Sequence, residues 1–153
     1  MKYGLGKPAL VVLFVLLTGS AASRGQGVPA TVHYIPHDQV AAAFLKAEKI
    51  VNDPGFVVVA NSRPAKVNPV EFHEKVNHVW IITDGEATFV TGGKMVNAKR
   101  ISPDEMTADA IEGGETIHLS KGDVITIPAK TPHWWKDIST KTISYYTINI
   151  YSK

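Results

Sequence analysis

From Phe56 to the end of this 153-residue chain, short runs of β-branched and aromatic residues recur at close intervals, and that rhythm restricts the fold more than any other feature. The runs are Phe56–Ala60, Val67–His73, His78–Thr83, Ala87–Thr91, Thr116–Leu119, Val124–Ile127 and Thr142–Tyr151. Branched and aromatic side chains lose rotamer freedom in a helix but pack well on a pleated surface, so each run predicts a strand. Turn signals separate them: Asp84-Gly85, Gly92-Gly93, Gly113-Gly114 and Lys121-Gly122-Asp123. Many short strands with regular turns predict an all-β antiparallel sandwich or barrel. The stretch from Lys99 to Glu112 is more polar and contains Ser102-Pro103-Asp104; it reads as a loop or a short helix. One helix is expected ahead of the strands, over Asp38–Val51. Asp38 can cap it, its alanines favour it, and Val40, Phe44 and Ala47 fall on one face before Asn52-Asp53-Pro54-Gly55 stops it.

The N-terminus reads as an export signal. Lys2 and Lys7 give a positive start, Ala9–Leu17 is an apolar run, and small residues follow, with Ala21 and Ser23 suited to cleavage before Arg24. The apolar run is shorter than the roughly 20 residues that span a bilayer. The expected organisation is a signal over 1–23, a linker and helix over 24–55, and a β domain over 56–153, with an exported product, periplasmic or secreted. The sequence has no cysteine, which excludes disulfides, thiolate metal sites and cysteine nucleophiles. Basic and acidic residues number 16 and 14, and without Lys2 and Lys7 the basic count also becomes 14. With no Lys/Arg block, nothing marks a nucleic-acid partner or, once the signal is removed, a membrane partner.

Chemistry concentrates in Glu71–Trp80, EFHEKVNHVW, which holds two histidines and two glutamates. A zinc-protease H-E-x-x-H motif needs its histidines four apart on a helix. His73 and His78 are five apart, which on a helix would separate the rings by about 140°. The neighbouring Val-Asn-Pro-Val and Val-Trp-Ile-Ile also oppose a helix. On strands, Glu71 and His73 share a face, and a bend over Glu74–Asn77 lets His78 join them from the next strand. The competing reading is ordinary polarity at a strand end.

The segments Glu71–Gly93 and Gly122–Asp137 resemble the two sequence motifs of the cupin superfamily. In the first motif, aligned on Gly85, Glu71 stands at the place of the first His, His73 at the second His and His78 at the Glu; Ala65 replaces the leading Gly. In the second, Gly122, Pro128 and His133 match in register, while Lys130 replaces a Gly and Asp137 an Asn. The resemblance implies a cupin-type antiparallel β-barrel, or jelly roll, with one N-terminal helix, in a fold that often forms a homodimer. It implies metal ligation by Glu71, His73, His78 and His133, the usual cupin inventory of three His and one Glu in permuted order. Such nitrogen and oxygen donors suit a divalent transition metal, Fe, Mn, Ni, Zn or Cu, without choosing among them.

A metal in such a barrel implies an enzyme of dioxygenase, isomerase or decarboxylase type acting on a small organic substrate. The alternatives are a small-molecule binding protein without turnover, and a metal-free cupin in which His133 or His73 acts as a general base. Trp80, Trp134 and Trp135 are candidate walls of a substrate pocket, against the plainer reading of core packing; by strand alternation only one of Trp134 and Trp135 can face inward. Glu74 is expected to be a solvated charge, His118 to face solvent, and His33 and His37 to lie outside the site.

Overall fold

The computed structural model describes residues 31–151, so the expected export signal and most of the linker lie outside the described residues. His33 onwards forms one compact unit. It contains a helix, α1 (His37–Lys46), and thirteen strands. The first six are β1 (Lys49–Asn52), β2 (Phe56–Pro64), β3 (Val70–His73), β4 (Val76–Asp84), β5 (Glu86–Thr91) and β6 (Lys94–Val96). Then come β7 (Lys99–Ser102), β8 (Glu105–Ala108), β9 (Ala110–Glu112), β10 (Glu115–Ser120), β11 (Val124–Ile127), β12 (His133–Ile138) and β13 (Thr142–Tyr151).

The strands form an antiparallel jelly roll, as the pattern of short β-branched runs predicts. One sheet has the order β1-β2-β13-β4-β11, the other β10-β5-β12-β3-β8-β7, and β6 with β9 forms a separate ribbon. Strict alternation along β4 and β13 sends His78, Trp80 and Ile82, and Ile143, Tyr145 and Thr147, to the inner face. Of these, Trp80, Ile82, Ile143 and Tyr145 meet Ala87, Phe89, Leu119, Trp135 and Ile138 from the second sheet in a single apolar cluster. At its centre the rings of Trp80 and Trp135 stack 4.9 Å apart with 4° between their planes, and Phe89 meets both edge-on.

Two local expectations are corrected. The helix ends at Lys46 and not at Val51: Ala47 takes a left-handed conformation (φ 54°), and its N–H bonds to the Ala43 carbonyl. Ile50 and Val51 then follow their β preference, with Val51 pairing with Val58 of β2. Asp38 lies in the first turn but makes no capping bond, because Pro36 occupies the N-cap. The stretch Lys99–Glu112 is neither loop nor helix but three strands, with Ser102-Pro103-Asp104 at the β7–β8 turn. Its side chains are mostly half-buried or exposed, so it lacks the apolar alternation that identifies a strand in sequence. No helix among the described residues is long and apolar enough to cross a membrane.

Gly85 joins β4 to β5 at φ +85°, where the chain passes from one sheet to the other and a Cβ would run into the Thr142 carbonyl oxygen and the Thr140 hydroxyl. Gly92 also has a positive φ, but open space surrounds its Cα. Gly85→Ala is therefore expected to cost at least about 2 kcal/mol in urea unfolding, and Gly92→Ala only about 1 kcal/mol, since there the backbone conformation alone is penalised.

Candidate metal centre

Three strands deliver three imidazoles to one place. His73 ends β3, His78 lies on the inner face of β4, and His133 begins β12. One ring nitrogen from each falls within 4.8 Å of the other two. The ring centroids are 4.9, 5.3 and 5.5 Å apart, a nearly equilateral arrangement.

Hydrogen bonds set the ring orientation of two of them. His133 Nδ1 donates to the Thr131 carbonyl at 2.9 Å, and His78 Nδ1 to Asn149 Oδ1 at 2.7 Å. Each bond fixes the tautomer and leaves Nε2 with a lone pair. Both Nε2 atoms are buried and make no hydrogen bond, nor does the buried Nδ1 of His73; carboxylate oxygens stand beyond bonding distance, Glu71 Oε2 3.7 Å from His133 Nε2 and Glu105 Oε1 3.6 Å from His73 Nδ1. Buried polar atoms without partners are rare, and three in one cluster call for an occupant that accepts lone pairs. Burial lowers the pKa of His73 and His78, His133 beside them lowers it further, and His78 falls to about 4. Neutral imidazoles at physiological pH are the form that ligates a metal.

Glu71, the fourth residue expected in the group, sits directly across the ladder from His133. Its Oε2 lies 3.7 Å from His133 Nε2, while Oε1 accepts a 2.9 Å bond from Arg63 Nη2. Burial alone would raise its pKa, but His133 and the Arg63 charge outweigh burial and hold it at about 2. The carboxylate is thus ionised and tied to an arginine at the margin of the three nitrogens.

The site opens into a cavity of about 220 Å³. Val59, Asn61 and Arg63 of β2 and Tyr145, Thr147 and Asn149 of β13 form one wall, in the same sheet as His78. Asn61 Nδ2 donates to Thr147 Oγ1 at 2.8 Å, so this wall is polar and ordered. Trp80 lines the cavity, and Trp135 lies behind it in the core. Trp134 points to the other side of β12, where its Nε1 donates to the Asn68 carbonyl at 2.8 Å. His118 is exposed and Glu74 pairs with Arg100 at 3.2 Å, both away from the cavity. His33 pairs with Asp53 at the surface. Larger open depressions occur elsewhere, such as one of about 590 Å³ between Lys75, Asp104, Arg100 and Glu74, but there the acidic and basic groups already pair with one another.

Sequence reasoning passed over Arg63, Asn149 and Thr131. The strand expected over Phe56–Ala60 runs on to Pro64, and that continuation brings Asn61 and Arg63 inward. Asn149 could have been found from the alternation of β13, which places it on the face shared by Tyr145 and Thr147.

A family model described as Cupin matches residues 39–153. Among solved structures, a Bacillus halodurans protein is 15% identical with a TM-score of 0.56, over 84% of this chain and 86% of its own. A cupin protein from Bacteroides fragilis is 20% identical over 65% of this chain and 69% of its own, with a TM-score of 0.46. An RmlC-like cupin family protein with a double-stranded β-helix fold from Methanocaldococcus jannaschii is 15% identical over 82% and 94%, with a TM-score of 0.47. At 15% identity the likeness to the Bacillus halodurans protein is one of fold alone. No curated protein matches the sequence.

In metal-free protein, the proton that His78 resists when folded is taken up by the unfolded chain. Its folded pKa of about 4 lies below the ordinary 6.5, so its contribution to stability is complete above pH 6.5 and is lost as pH falls towards 4. Urea midpoints of chelator-treated protein are expected to fall across that window, and His78→Gln is expected to flatten the slope.

Proposed function

Because the chain belongs to the cupin family, we propose that His73, His78 and His133 hold one divalent transition-metal ion, and that the site acts on a small oxygen-bearing organic molecule. The observation that carries this reading is the convergence of unpartnered, buried imidazole nitrogens, two of them aimed by bonds from their other nitrogen. Three imidazole nitrogen donors suit Fe, Mn, Ni, Zn or Cu alike. When bound, such an ion supplies Lewis acidity that polarises a carbonyl or carboxylate oxygen.

The chain's own residues do the rest. Trp80 and the polar wall of Asn61 and Thr147 give the cavity one aromatic and one hydrogen-bonding side, which orients a ligand with both kinds of surface. The Trp80–Trp135 stack closes the floor against water from the core side. Tyr145, whose pKa burial raises, stays a neutral hydroxyl near Arg63. An ionised Glu71 at the margin offers a fixed negative charge beside His133. A cavity of about 220 Å³ limits the ligand to a small metabolite. Turnover of dioxygenase, isomerase or decarboxylase type is the function that this arrangement supports best. Export is part of the same proposal, supported by the basic, apolar and small-residue succession of residues 2–23.

Metal analysis of the purified protein tests the centre. A stoichiometric divalent ion is expected in the wild type, largely lost in His133→Ala and retained in His118→Ala. Equal loss in both variants, or none in either, overturns the assignment. Oxygen consumption and substrate loss with candidate hydroxy- and oxo-acids then separate turnover from binding alone.

A further inference from the structure

We propose that Arg63 sets the number of protein donors at the metal centre by holding the Glu71 carboxylate out of it. The inference rests on the metal-centre reading above and adds a residue that neither cupin motif contains.

Arg63 reaches from β2 into the cavity and is held at three points. Nη2 donates to Glu71 Oε1 at 2.9 Å, Nη1 to Asn68 Oδ1 at 3.2 Å, and Nε to the Tyr145 hydroxyl at 3.3 Å. Two of these anchors are themselves fixed. Asn68 is 3% exposed, and its amide donates to the Lys66 carbonyl at 2.7 Å; Tyr145 is 2% exposed within the apolar core. A guanidinium fork held in this way is a built clamp, unlike a mobile surface cation.

The clamp divides the carboxylate. Oε1 is taken by Arg63, whereas Oε2 stands 3.7 Å from His133 Nε2. Donors sharing one ion at about 2.1 Å lie about 3.0–3.4 Å from each other at tetrahedral or octahedral corners. Oε2 comes close to that range from His133 Nε2 alone; Glu71 does not join the group whose ring nitrogens all lie within 4.8 Å of one another, and the shift that would bring it in is one that the Arg63 bond resists. With the carboxylate restrained, the protein offers three neutral donors, and more of the coordination sphere is left for oxygen atoms of a ligand in the cavity. Released, Glu71 would add an anionic donor, tighten metal binding and close one of those positions. Arg63 thus gives up metal affinity to keep the site open.

Calorimetric titration of metal-free protein with Zn²⁺ tests this, with the visible absorption of the Co²⁺-loaded protein as a second readout of donor number. Arg63→Met is expected to bind Zn²⁺ at least about tenfold more tightly, about 1.4 kcal/mol, and to change the Co²⁺ spectrum. Arg63→Gln keeps a polar amide at this position, guards against a folding defect, and, lacking the charge and the length of the guanidinium that grips Glu71, is expected to shift both readouts the same way. In the Glu71→Gln background, Arg63→Met is expected to give neither change. Unchanged affinity and spectrum in both Arg63 variants overturn the proposal. So does a gain that persists with Glu71→Gln, because Arg63 would then only repel the cation. Failure of the metal centre itself looks different: His78→Ala would bind Zn²⁺ as the wild type does, whatever stands at position 63, and both readings would fall together.

Discussion

The stacking of Trp80 on Trp135 is the contact on which the rest of the structure depends. These two rings, 4.9 Å apart, join the inner faces of opposing sheets, and Phe89 and Tyr145 close around them. Flat aromatic surface of this size supplies a large share of the apolar burial available to a domain of this length. The stack also sets the height of the floor beneath the histidines: His133 and His78 lie 5.5 and 5.8 Å from the Trp80 ring. One strand face therefore changes character along its length. The inner face of β4 is apolar at Trp80 and Ile82, and two residues before Trp80 it turns to chemistry at His78.

The polar end of the barrel is ordered by partners that are themselves backbone-anchored. Asn149 is brought opposite His78 by the β13–β4 ladder, and Glu71 opposite His133 by the β12–β3 pair. The Thr131 carbonyl is fixed by the turn that precedes β12. That turn is held in turn by Lys130, which adopts φ +63° and donates its N–H to the His73 carbonyl at 2.7 Å. Lysine is an unfavourable residue at such a φ, where the cupin motif has glycine, and the short bond to the site strand offsets that cost. The imidazoles are thus oriented by a ring of contacts from β3, β13 and the β11–β12 turn.

Sequence made most of the strands with one buried face legible, but β12 was missed although His133, Trp135 and Ile138 are buried, because Lys136 and Asp137 interrupt its apolar alternation. Val124–Ile127 is predicted and observed with the same limits, and Thr142–Tyr151 likewise. It failed where burial was slight, as in β7 to β9, because the apolar alternation that identifies a strand comes from the core on one side of it. It also overran at α1, where alanine-rich helix propensity hid a left-handed residue at Ala47. At the site, motif spacing pointed to the histidines, since their chemistry is carried by residue type. Arg63, Asn149 and Thr131 were not legible in the same way. Arginine, asparagine and a backbone carbonyl become informative only once cross-strand register says which side chain stands opposite which.

The separation of the site residues along the chain has a kinetic consequence. His73 and His78 come from neighbouring strands, but His133 arrives 55 residues after His78, by way of β5 to β11. No local fragment can present all three nitrogens, so an ion in solution meets a complete set of donors only after the two sheets have closed. Folding of such a topology is slow because long loops must close before their contacts repay the entropy. An ion that enters afterwards cannot speed that search. Bound at the proposed centre, it would act on the other side of the barrier, holding β3, β4 and β12 together and slowing their separation, so metal would lengthen the lifetime of the folded protein without shortening the time needed to make it.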